Sequence, residues 1–362
     1  MDFDVHLLAA SKTPAEDAAN ADHLRDCCSR VEVFGVLPPR AEAEHATEPM
    51  QVLRHRSPEL SRRVRRLLAL GAAEIVHVEG FYLACHVPPR NRVPVLLGEQ
   101  NVEYELWRQR GVEWQYGLTR AAEVDAWRRA DLIGAVTAED ADAIRASLPG
   151  APVRVVPDGI DHLASPESEA PRPAPRPPAP LLAFVGNFAY EPNVDAAVHL
   201  CRDVLPLVAE RVPDVRVWLV GNGPPTAVGR LASDRVRVTG RVPDVVPYID
   251  AADVVLSPLR IGGGVKVKTL EALRRGKALV ATSLSLQGIP PAVREPLAVA
   301  DEPAQLAELS CRLLLDHNAR REAERAAVRA MRALPTWDDA AATLTRAYDE
   351  LLDARRAREL AS

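Results

Sequence analysis

A triplet of glycines followed by two lysines is the part of the chain whose residue types suggest chemistry most directly. The run from Gly262 to Glu271 reads GGGVKVKTLE. Glycines let a backbone approach a ligand closely, and a helix that starts after them directs unpaired N–H groups and its positive dipole end at the same place. Lysine occurs at only four positions in the whole chain, so Lys266 and Lys268 mark a candidate anion site.

A carboxylate lies close to these lysines in the predicted helix. Glu271 follows Lys266 by about one and a half turns, where its oxygens can accept hydrogen bonds from sugar hydroxyls. Together the two features indicate a nucleoside diphosphate. An ordinary amphipathic helix is the alternative, with Val267, Leu270 and Leu273 on its apolar face and Lys268 paired with Glu271 in solvent. Features elsewhere in the chain are needed to choose between a diphosphate site and an ordinary helix.

The composition excludes several classes of protein. A chain of 362 residues, 47% hydrophobic and 26% charged, is long enough for two globular α/β domains. Its formal charge of −5 argues against a nucleic-acid binder, which needs a dominant basic surface. The five cysteines have no metal-ligand spacing, so we expect no metal site and a reducing, cytoplasmic location. No run approaches the roughly 20 apolar residues of a membrane span, and the first residues do not resemble a signal peptide.

Apolar, β-branched runs alternate with helical segments along the whole chain. This pattern is typical of parallel sheets covered on both faces, so we predict an α/β fold with two doubly wound, Rossmann-like domains. The strands predicted in the first half are residues 3–9, 31–34, 75–78, 93–97, 132–136 and 153–156. Those predicted in the second half are residues 181–185, 215–220, 236–239, 254–256, 278–282 and 297–299. Ligands of such domains bind beyond the carboxyl ends of the strands, and the cleft between the domains is the expected active site.

A proline-rich segment separates the two halves. Residues 171–180 read PRPAPRPPAP, which supplies few backbone donors to a sheet and forms a stiff, extended spacer. We therefore predict a first domain at residues 1–162, a linker at 163–180, a second domain at 181–333 and a C-terminal helix at 334–362.

Motifs in a fixed order then give the chain a family resemblance. In the second half they are FVGNF at 184–188, PNVD at 192–195, LVGNG at 219–223, VTGRVPD at 238–244, ADVVLSPL at 252–259 and GKALVAT at 276–282. In the first half they are EQNVE at 99–103, VTAED at 136–140 and VVPDGID at 155–161. With the glycine run, they resemble the group 1 type of the family 4 glycosyltransferases, which have the GT-B fold.

The resemblance implies a role for each candidate residue. Glu271 would bind the ribose hydroxyls, and Lys266 and Lys268 would neutralise the leaving phosphate. The remaining binding residues would cradle the diphosphate or hold the base, and they are Gly186, Asn187, Gly240, Arg241, Val242, Gly262, Gly263, Gly264, Val267, Thr269 and Leu270. The family needs neither metal nor cofactor for retaining transfer, since fixed cations and helix dipoles stabilise the departing diphosphate.

Three departures from the family pattern affect these roles. Gly263 stands where many relatives have a glutamate that contacts the donor sugar, which marks a subgroup with glycine there. Gln100, a catalytic candidate by position, replaces a common histidine and can only donate and accept hydrogen bonds. His77 is a substitute for that imidazole, or else an ordinary core histidine, while Asn101 and Glu103 can be read as helix caps. The first departure also includes the segment from Asn187 to Asn193, which lacks the arginine and lysine that many relatives place on the diphosphate.

The third departure lies at the start of the chain. Residues 3–9 resemble the second strand of the family, so the first βα unit with its glycine-rich loop is predicted to be absent. The end of the chain, from Trp337 onward, resembles the terminal helix that returns to the first domain in the family. An ordinary terminal helix of the second domain is the alternative.

The resulting prediction is a retaining, metal-independent glycosyltransferase that uses a nucleoside diphosphate sugar, most simply a UDP- or GDP-sugar, and an unidentified acceptor. A non-catalytic nucleotide-sugar-binding protein or partner subunit is the alternative, favoured by the predicted absence of the first strand, by Gly263 and by Gln100. A nucleotide-sugar epimerase is a weaker alternative. The helix predicted around Leu60–Leu68 is apolar on one side and carries arginines on the other. It suggests either peripheral contact with the anionic inner face of a membrane or a solvated helix face.

Overall fold

The structure is a computed structural model that describes residues 3–37, 47–89, 92–161 and 174–361. The chain forms two compact units, the first from Met1–Pro157 with Ala341–Ser362 and the second from Asp158–Ala340. The predicted linker falls outside the described residues up to position 173. Residues 174–180 belong to the second unit, where Arg176 Nη2 donates to Asp253 Oδ2 at 2.7 Å.

Six parallel strands lie in the described part of the first unit. They are β1 (His6–Ser11), β2 (Arg30–Gly35), β3 (Val76–Glu79), β4 (Val95–Glu99), β5 (Leu132–Ala135) and β6 (Val153–Val155). The helices are α1 (Pro14–Asn20), α2 (Met50–Arg54), α3 (Pro58–Ala69), α4 (Glu103–Gln109), α5 (Glu113–Arg129) and α6 (Ala138–Ser147), with 3₁₀ turns at Ala21–Asp26 and Phe81–His86.

These strands form two sheets, where a doubly wound domain has one. The order is β1-β2 in one sheet and β3-β4-β5-β6 in the other. Among the described residues no strand joins the two sheets, because β1 pairs only with β2 and β3 pairs only with β4. In the described residues the predicted parallel strands of the first half are therefore present, but they lie in two separately hydrogen-bonded sheets.

The second unit contains one continuous parallel sheet. Its strands are β7 (Leu181–Val185), β8 (Arg216–Val220), β9 (Val236–Val238), β10 (Val254–Ser257), β11 (Leu279–Ala281) and β12 (Ala298–Val299). The helices are α7 (Glu191–His199), α8 (Leu205–Arg211), α9 (Thr226–Gly229), α10 (Val246–Ala251), α11 (Val267–Arg274), α12 (Pro291–Arg294), α13 (Pro303–Leu315) and α14 (His317–Arg332). A π turn at Leu200–Val204 joins α7 to α8, and a 3₁₀ turn spans Leu284–Leu286.

Both faces of this sheet are buried, as the apolar runs predict. In β7, Leu182 and Phe184 face one core, while Leu181, Ala183 and Val185 face the other. Helices α8 and α13 cover the first core, and α11 and α14 cover the second. Every predicted strand of the chain overlaps an observed one, because a parallel strand buried on both faces is apolar at successive positions.

The last helix, α15 (Trp337–Ala361), contributes to the first unit from Ala341 onward. Ala347 and Leu351 of this helix pack with Leu96 and Leu132 in a separate apolar cluster. The other face of the same sheet packs Leu97 and Ile133 against Trp127 of α5. The C-terminal helix therefore covers one face of the four-stranded sheet.

Candidate functional site

The candidate site of the second unit lies where the strand order reverses. The sheet order β12-β11-β10-β7-β8-β9 makes the chain progress in opposite directions from β7 and from β10. The loops that leave the carboxyl ends of two such strands diverge and open a crevice. A cavity of about 510 Å³ occupies this place, lined by the loops after β7, β8, β9 and β10 and by the start of α11.

Most of the binding residues predicted from the sequence lie at this cavity. The lining includes Gly186, Asn187, Arg241, Val242, Gly262, Gly263, Lys266, Val267, Lys268 and Glu271. Gly240 and Gly264 lie in the same loops and do not line the cavity; both have positive φ angles, of 68° and 64°.

Two predicted residues are turned away from the cavity. The N–H groups of Thr269 and Leu270 both donate to the carbonyl of Lys266, at 2.8 and 3.2 Å, so they are used within the helix. The Thr269 hydroxyl is 3.0 Å from Ser257 Oγ, and the Leu270 side chain packs in the core. The prediction that their backbone holds a diphosphate is wrong, because the first turn of the helix already uses those donors.

The apolar face predicted for this helix is also only partly correct. Leu270 and Leu273 are buried, whereas the Val267 side chain is 50% exposed and lines the cavity. Val267 is the first residue of α11, so its side chain projects beyond the core that the later turns contact.

The glycine loop presents several backbone donors without partners. Within the described part of the second unit, no hydrogen bond is formed by the N–H groups of Gly263, Gly264 and Val265, or by Val267 and Lys268 in the first helical turn. Gly262 and Gly264 have φ angles of 137° and 64°, a region that favours glycine. Consecutive N–H groups of this kind form an anion-binding concavity, and the helix dipole adds to it.

The turn after β7 forms the opposite wall and is held tightly. Gly186 N–H donates to Val220 O at 2.9 Å, and Asn193 Nδ2 donates to Asn187 O at 2.8 Å. A Cβ on Gly221 would lie 1.8 Å from Gly186 O, so only glycine permits this approach of the two loops. Asn193 Oδ1 is buried without a hydrogen-bond partner in the described structure, and Asn193 lines the cavity near the start of α7.

Two ionisable side chains at the cavity lack direct partners. Neither Lys268 nor Glu271 forms a side-chain hydrogen bond or ion pair with any described residue, so the solvent-side pair considered above is not made. Burial lowers the pKa of Lys268 to about 8, although nearby Glu271 opposes that shift. Burial raises the pKa of Glu271, against the effect of Lys268. Both groups are thus partly desolvated and available to a ligand.

Lys266 differs from Lys268 in its surroundings. Its ammonium donates to Gly263 O at 3.0 Å, to Gly264 O at 2.6 Å and to Gln287 Oε1 at 3.2 Å. Only 7% of the residue is exposed. The role assigned to it from the sequence, a cation that faces the phosphates, therefore does not match the orientation found in the structure. No sequence pattern connects Lys266 with Gln287, so this contact was missed.

Gln100 belongs to the first unit and has a different environment. Its Nε2 is 3.5 Å from Glu79 Oε2 at the carboxyl ends of β3 and β4. The His77 ring is occupied on both sides, since Nδ1 is 2.6 Å from the Tyr348 hydroxyl and Nε2 is 3.0 Å from Glu79 Oε1. His77 therefore lies in a paired Tyr–His–Glu series, which the sequence did not indicate.

The EQNVE motif around Gln100 has a structural role that differs from the one considered above. Helix α4 has no side-chain cap from Asn101 or Glu103; instead Glu123 of α5 accepts from the N–H groups of Glu103 and Tyr104, at 2.7 and 2.9 Å. Glu99 accepts from Trp127 Nε1 at 2.9 Å, and burial raises its pKa to about 8. These carboxyl groups tie β4, α4 and α5 together.

The basic helix predicted around residues 60–68 is α3. Leu60 is buried, and Arg63 is bound to Glu32, with Nη2–Oε1 at 2.7 Å, whereas Arg62, Arg65 and Arg66 are exposed. The described residues contain no helix that is long and apolar enough to span a membrane. They also contain no group of three or more histidine, cysteine or acidic side chains placed to bind a metal.

Comparison with known proteins adds to this geometry. Residues 1–159 match the model of the Glycosyl transferase 4-like domain, and residues 179–316 match that of Glycosyl transferases group 1. Over 107 residues the chain is 36% identical to the phosphatidyl-myo-inositol mannosyltransferase of Mycobacterium tuberculosis, a match that spans 28% of this chain and only 27% of that protein.

Two solved structures are similar over nearly their whole length. Sucrose-phosphate synthase of Thermosynechococcus elongatus superposes with a TM-score of 0.67 at 16% identity, covering 97% of this chain and 100% of that one. The Anabaena protein HepE, in complex with UDP and glucose, has a TM-score of 0.62 at 14% identity, with coverage of 96% and 99%. At these identities the likeness is one of fold.

Proposed function

The chain belongs to the group 1 glycosyltransferases and has the GT-B fold, and from this premise we propose that its second unit binds a nucleoside diphosphate sugar for glycosyl transfer. The observation that carries the proposal is the set of unpaired N–H groups in the glycine loop, next to the unpartnered side chains of Lys268 and Glu271. An anion with several oxygens can accept hydrogen bonds from the loop N–H groups, and ribose hydroxyls can donate to the Glu271 carboxylate.

Each part of the donor has a place in this proposal. The diphosphate lies against the N–H groups of Gly263 and Val265, which line the cavity on either side of Gly264, and near the start of α7. Glu271 accepts hydrogen bonds from the ribose hydroxyls, and the Arg241–Val245 segment after β9 holds the base. HepE, which has the same fold, is described in complex with UDP and glucose, and this supports a nucleotide in the equivalent crevice.

The proposed reaction is a retaining transfer that needs no metal. The acceptor hydroxyl oxygen forms a bond to the anomeric carbon while the bond from that carbon to the phosphate oxygen breaks. The diphosphate leaves with the electron pair and takes the hydroxyl proton. The negative charge that develops on it is stabilised by the loop N–H groups, the α11 dipole and the Lys268 ammonium.

Two features of the site bear on substrates. Gly263 places no carboxylate at the sugar end of the cavity, so the donor sugar is held through backbone donors and diphosphate contacts. A UDP- or GDP-sugar is the proposed donor, with a glycan, lipid-linked or small-molecule acceptor. The exposed arginines of α3 would support peripheral contact with an anionic membrane if the acceptor is lipid-linked.

Gly263 and Gln100 together favour a second candidate, a non-catalytic nucleotide-sugar-binding protein. Calorimetric titration with UDP, GDP, ADP and dTDP, repeated with Glu271→Ala, tests the binding step that both candidates share. We expect one nucleotide to bind the wild-type chain and to lose most of its affinity in the variant. Release of that nucleotide from its sugar derivatives then separates an enzyme from a binder. A folded protein that binds none of the four would contradict both candidates.

A further inference from the structure

A network of buried hydroxyl groups lies beneath the glycine loop, outside the cavity. Thr282 Oγ1 donates to Leu259 O at 2.6 Å, and Ser285 Oγ donates to Ser257 O at 2.6 Å. Leu259 N–H donates to Ser285 Oγ at 3.3 Å. The loop after β10 is therefore attached at its start to the loop after β11, and each of these hydroxyl-bearing residues is almost fully buried.

Lys266 attaches the other end of the glycine loop to the same neighbour. Its ammonium contacts the carbonyls of Gly263 and Gly264 and the side-chain oxygen of Gln287, which follows the 3₁₀ turn after β11. An ammonium has three N–H donors, and three oxygens surround this one. To bind a phosphate, it would have to leave a buried carbonyl and a partly buried one unpaired, which is unfavourable.

The two carbonyl contacts also determine where the loop donors point. In a trans peptide the C=O of one residue and the N–H of the next point in opposite directions, and the described chain has no cis peptide. When Gly263 O and Gly264 O point to the Lys266 ammonium, the N–H groups of Gly264 and Val265 point away from it. These are two of the donors that have no protein partner.

We propose that Lys266, held by Gln287, is a positioning residue that turns the loop N–H groups toward the diphosphate, and that the ammonium in contact with the diphosphate is that of Lys268. The inference rests on the proposed function of the cavity. The two lysines, only two positions apart, thus have different roles. Lys266 holds the loop in the conformation that binds the anion, and Lys268 supplies the positive charge.

A double-mutant cycle between Lys266 and Gln287 tests this division. The ligands are inorganic pyrophosphate and whichever of UDP, GDP, ADP and dTDP binds the wild-type chain most tightly. We expect Lys266→Met to weaken diphosphate binding about 10- to 100-fold and Gln287→Leu about 3- to 10-fold, with little change for the free nucleoside. The double variant should be no weaker than Lys266→Met alone, since Gln287 acts through the lysine.

Lys268→Met is the matched control for loss of a cation at the same loop. Its effect should add to that of Gln287→Leu, because the two groups act separately, whereas Lys266→Arg should restore part of the affinity lost in Lys266→Met. If Gln287→Leu binds like the wild type while Lys266→Met does not, Lys266 contacts the phosphate directly and the proposal is wrong. It is equally wrong if neither substitution weakens binding.

A second measurement needs no ligand and separates this inference from the proposed function. Amide hydrogen exchange reports the bonds at the two ends of the loop, from Leu259 N–H to Ser285 Oγ and from Leu270 N–H to Lys266 O. Both should exchange faster in Lys266→Met and Gln287→Leu than in the wild type. If no nucleotide binds but exchange accelerates, the proposed function fails, while the finding that Lys266 and Gln287 hold the loop in shape stands. Unchanged exchange in both variants would overturn the positioning role.

Discussion

Three polar side chains near the parallel strands of the first unit are bound to other protein groups, whereas several polar groups at the cavity of the second unit have no protein partner. In the first unit, Glu99, Glu123 and His77 are each bound to other protein groups. In the second, Lys268, Glu271 and the loop N–H groups are not. Unpaired donors, a cation and a carboxylate that gather at one cavity are available to a ligand, whereas the paired groups of the first unit hold its elements together.

The largest expected effect comes from forcing apart the two loops of the second unit that approach each other at Gly186 and Gly221. Gly221→Ala would bring a Cβ to 1.8 Å from Gly186 O, at a φ of 149° that disfavours alanine. Because the nearest atoms are backbone atoms of Gly186, the turn after β7 must move. We expect the free energy of unfolding to fall by about 3 kcal/mol or more, and nucleotide binding to be lost as well. Chemical denaturation and calorimetry measure the two.

Gly229→Ala provides the control for that substitution. Gly229 ends α9, and a Cβ there would meet nothing within 4 Å. Its stability and affinity should match the wild type. A Gly221→Ala variant that behaves like Gly229→Ala would show that the two loops do not approach as described.

In the first unit, removing a paired carboxylate should affect stability and leave binding intact. Glu123→Ala removes the acceptor of the Glu103 and Tyr104 N–H groups, and we expect a loss of about 2–4 kcal/mol in the free energy of unfolding because two buried donors lose their partner. Asp125→Ala, on the same helix, is the control, since its side chain is 67% exposed and its Arg129 pair is 3.7 Å long. Weaker nucleotide binding by folded Glu123→Ala would contradict the contrast between the units.

In the second unit, Glu271→Ala should weaken nucleotide binding and leave stability unchanged, which is the opposite of the result expected for Glu123→Ala. Loss of the hydrogen bonds between a carboxylate and the ribose should weaken nucleotide binding by about 1–3 kcal/mol, with no loss of stability, because Glu271 has no protein partner to lose. Calorimetry and thermal unfolding report the two quantities, with exposed Glu308 as the site of a matched Glu→Ala substitution. A destabilised variant with unchanged nucleotide affinity would show that Glu271 stabilises the fold and does not bind the ligand.

The smallest expected effect is the change of affinity over a single pH unit. Burial lowers the pKa of Lys268 to about 8, so the free protein loses this charge as the pH rises through that value. Diphosphate affinity should then fall by up to about tenfold per pH unit, and Lys268→Met should show no such decline. In the unfolded chain Lys268 keeps its proton up to about pH 10.4. Between the folded and unfolded pKa values only the unfolded chain binds this proton, so the free energy of unfolding increases with pH in that range. Affinity that is flat across this range in the wild type would contradict contact between Lys268 and the diphosphate.

Much of the second unit could be predicted from the sequence because its strands are buried on both faces. The run at 181–185 is apolar throughout and is strand β7 with the predicted bounds. The position of the loop beside the cavity could also be predicted from local sequence, because the positive φ angles at Gly262 and Gly264 favour glycine.

Contacts between distant segments could not be predicted in the same way. Lys266 has a long, flexible side chain, and only the folded loops show that its ammonium is directed to Gln287. Glu123 caps α4 from another helix, so the local pattern of EQNVE suggested the wrong caps. The sheets of the first unit are interrupted because strand pairing depends on which neighbours are present, and apolar runs do not encode that.

Backbone amide NMR of the described loop at residues 261–268 tests most directly whether the unpaired donors of the second unit bind a diphosphate. The N–H signals of Gly263, Gly264 and Val265 should shift on addition of the nucleoside diphosphate that binds best, and should stay in place with the free nucleoside. Shifts confined to other residues, or equal shifts with both ligands, would contradict diphosphate binding by these donors.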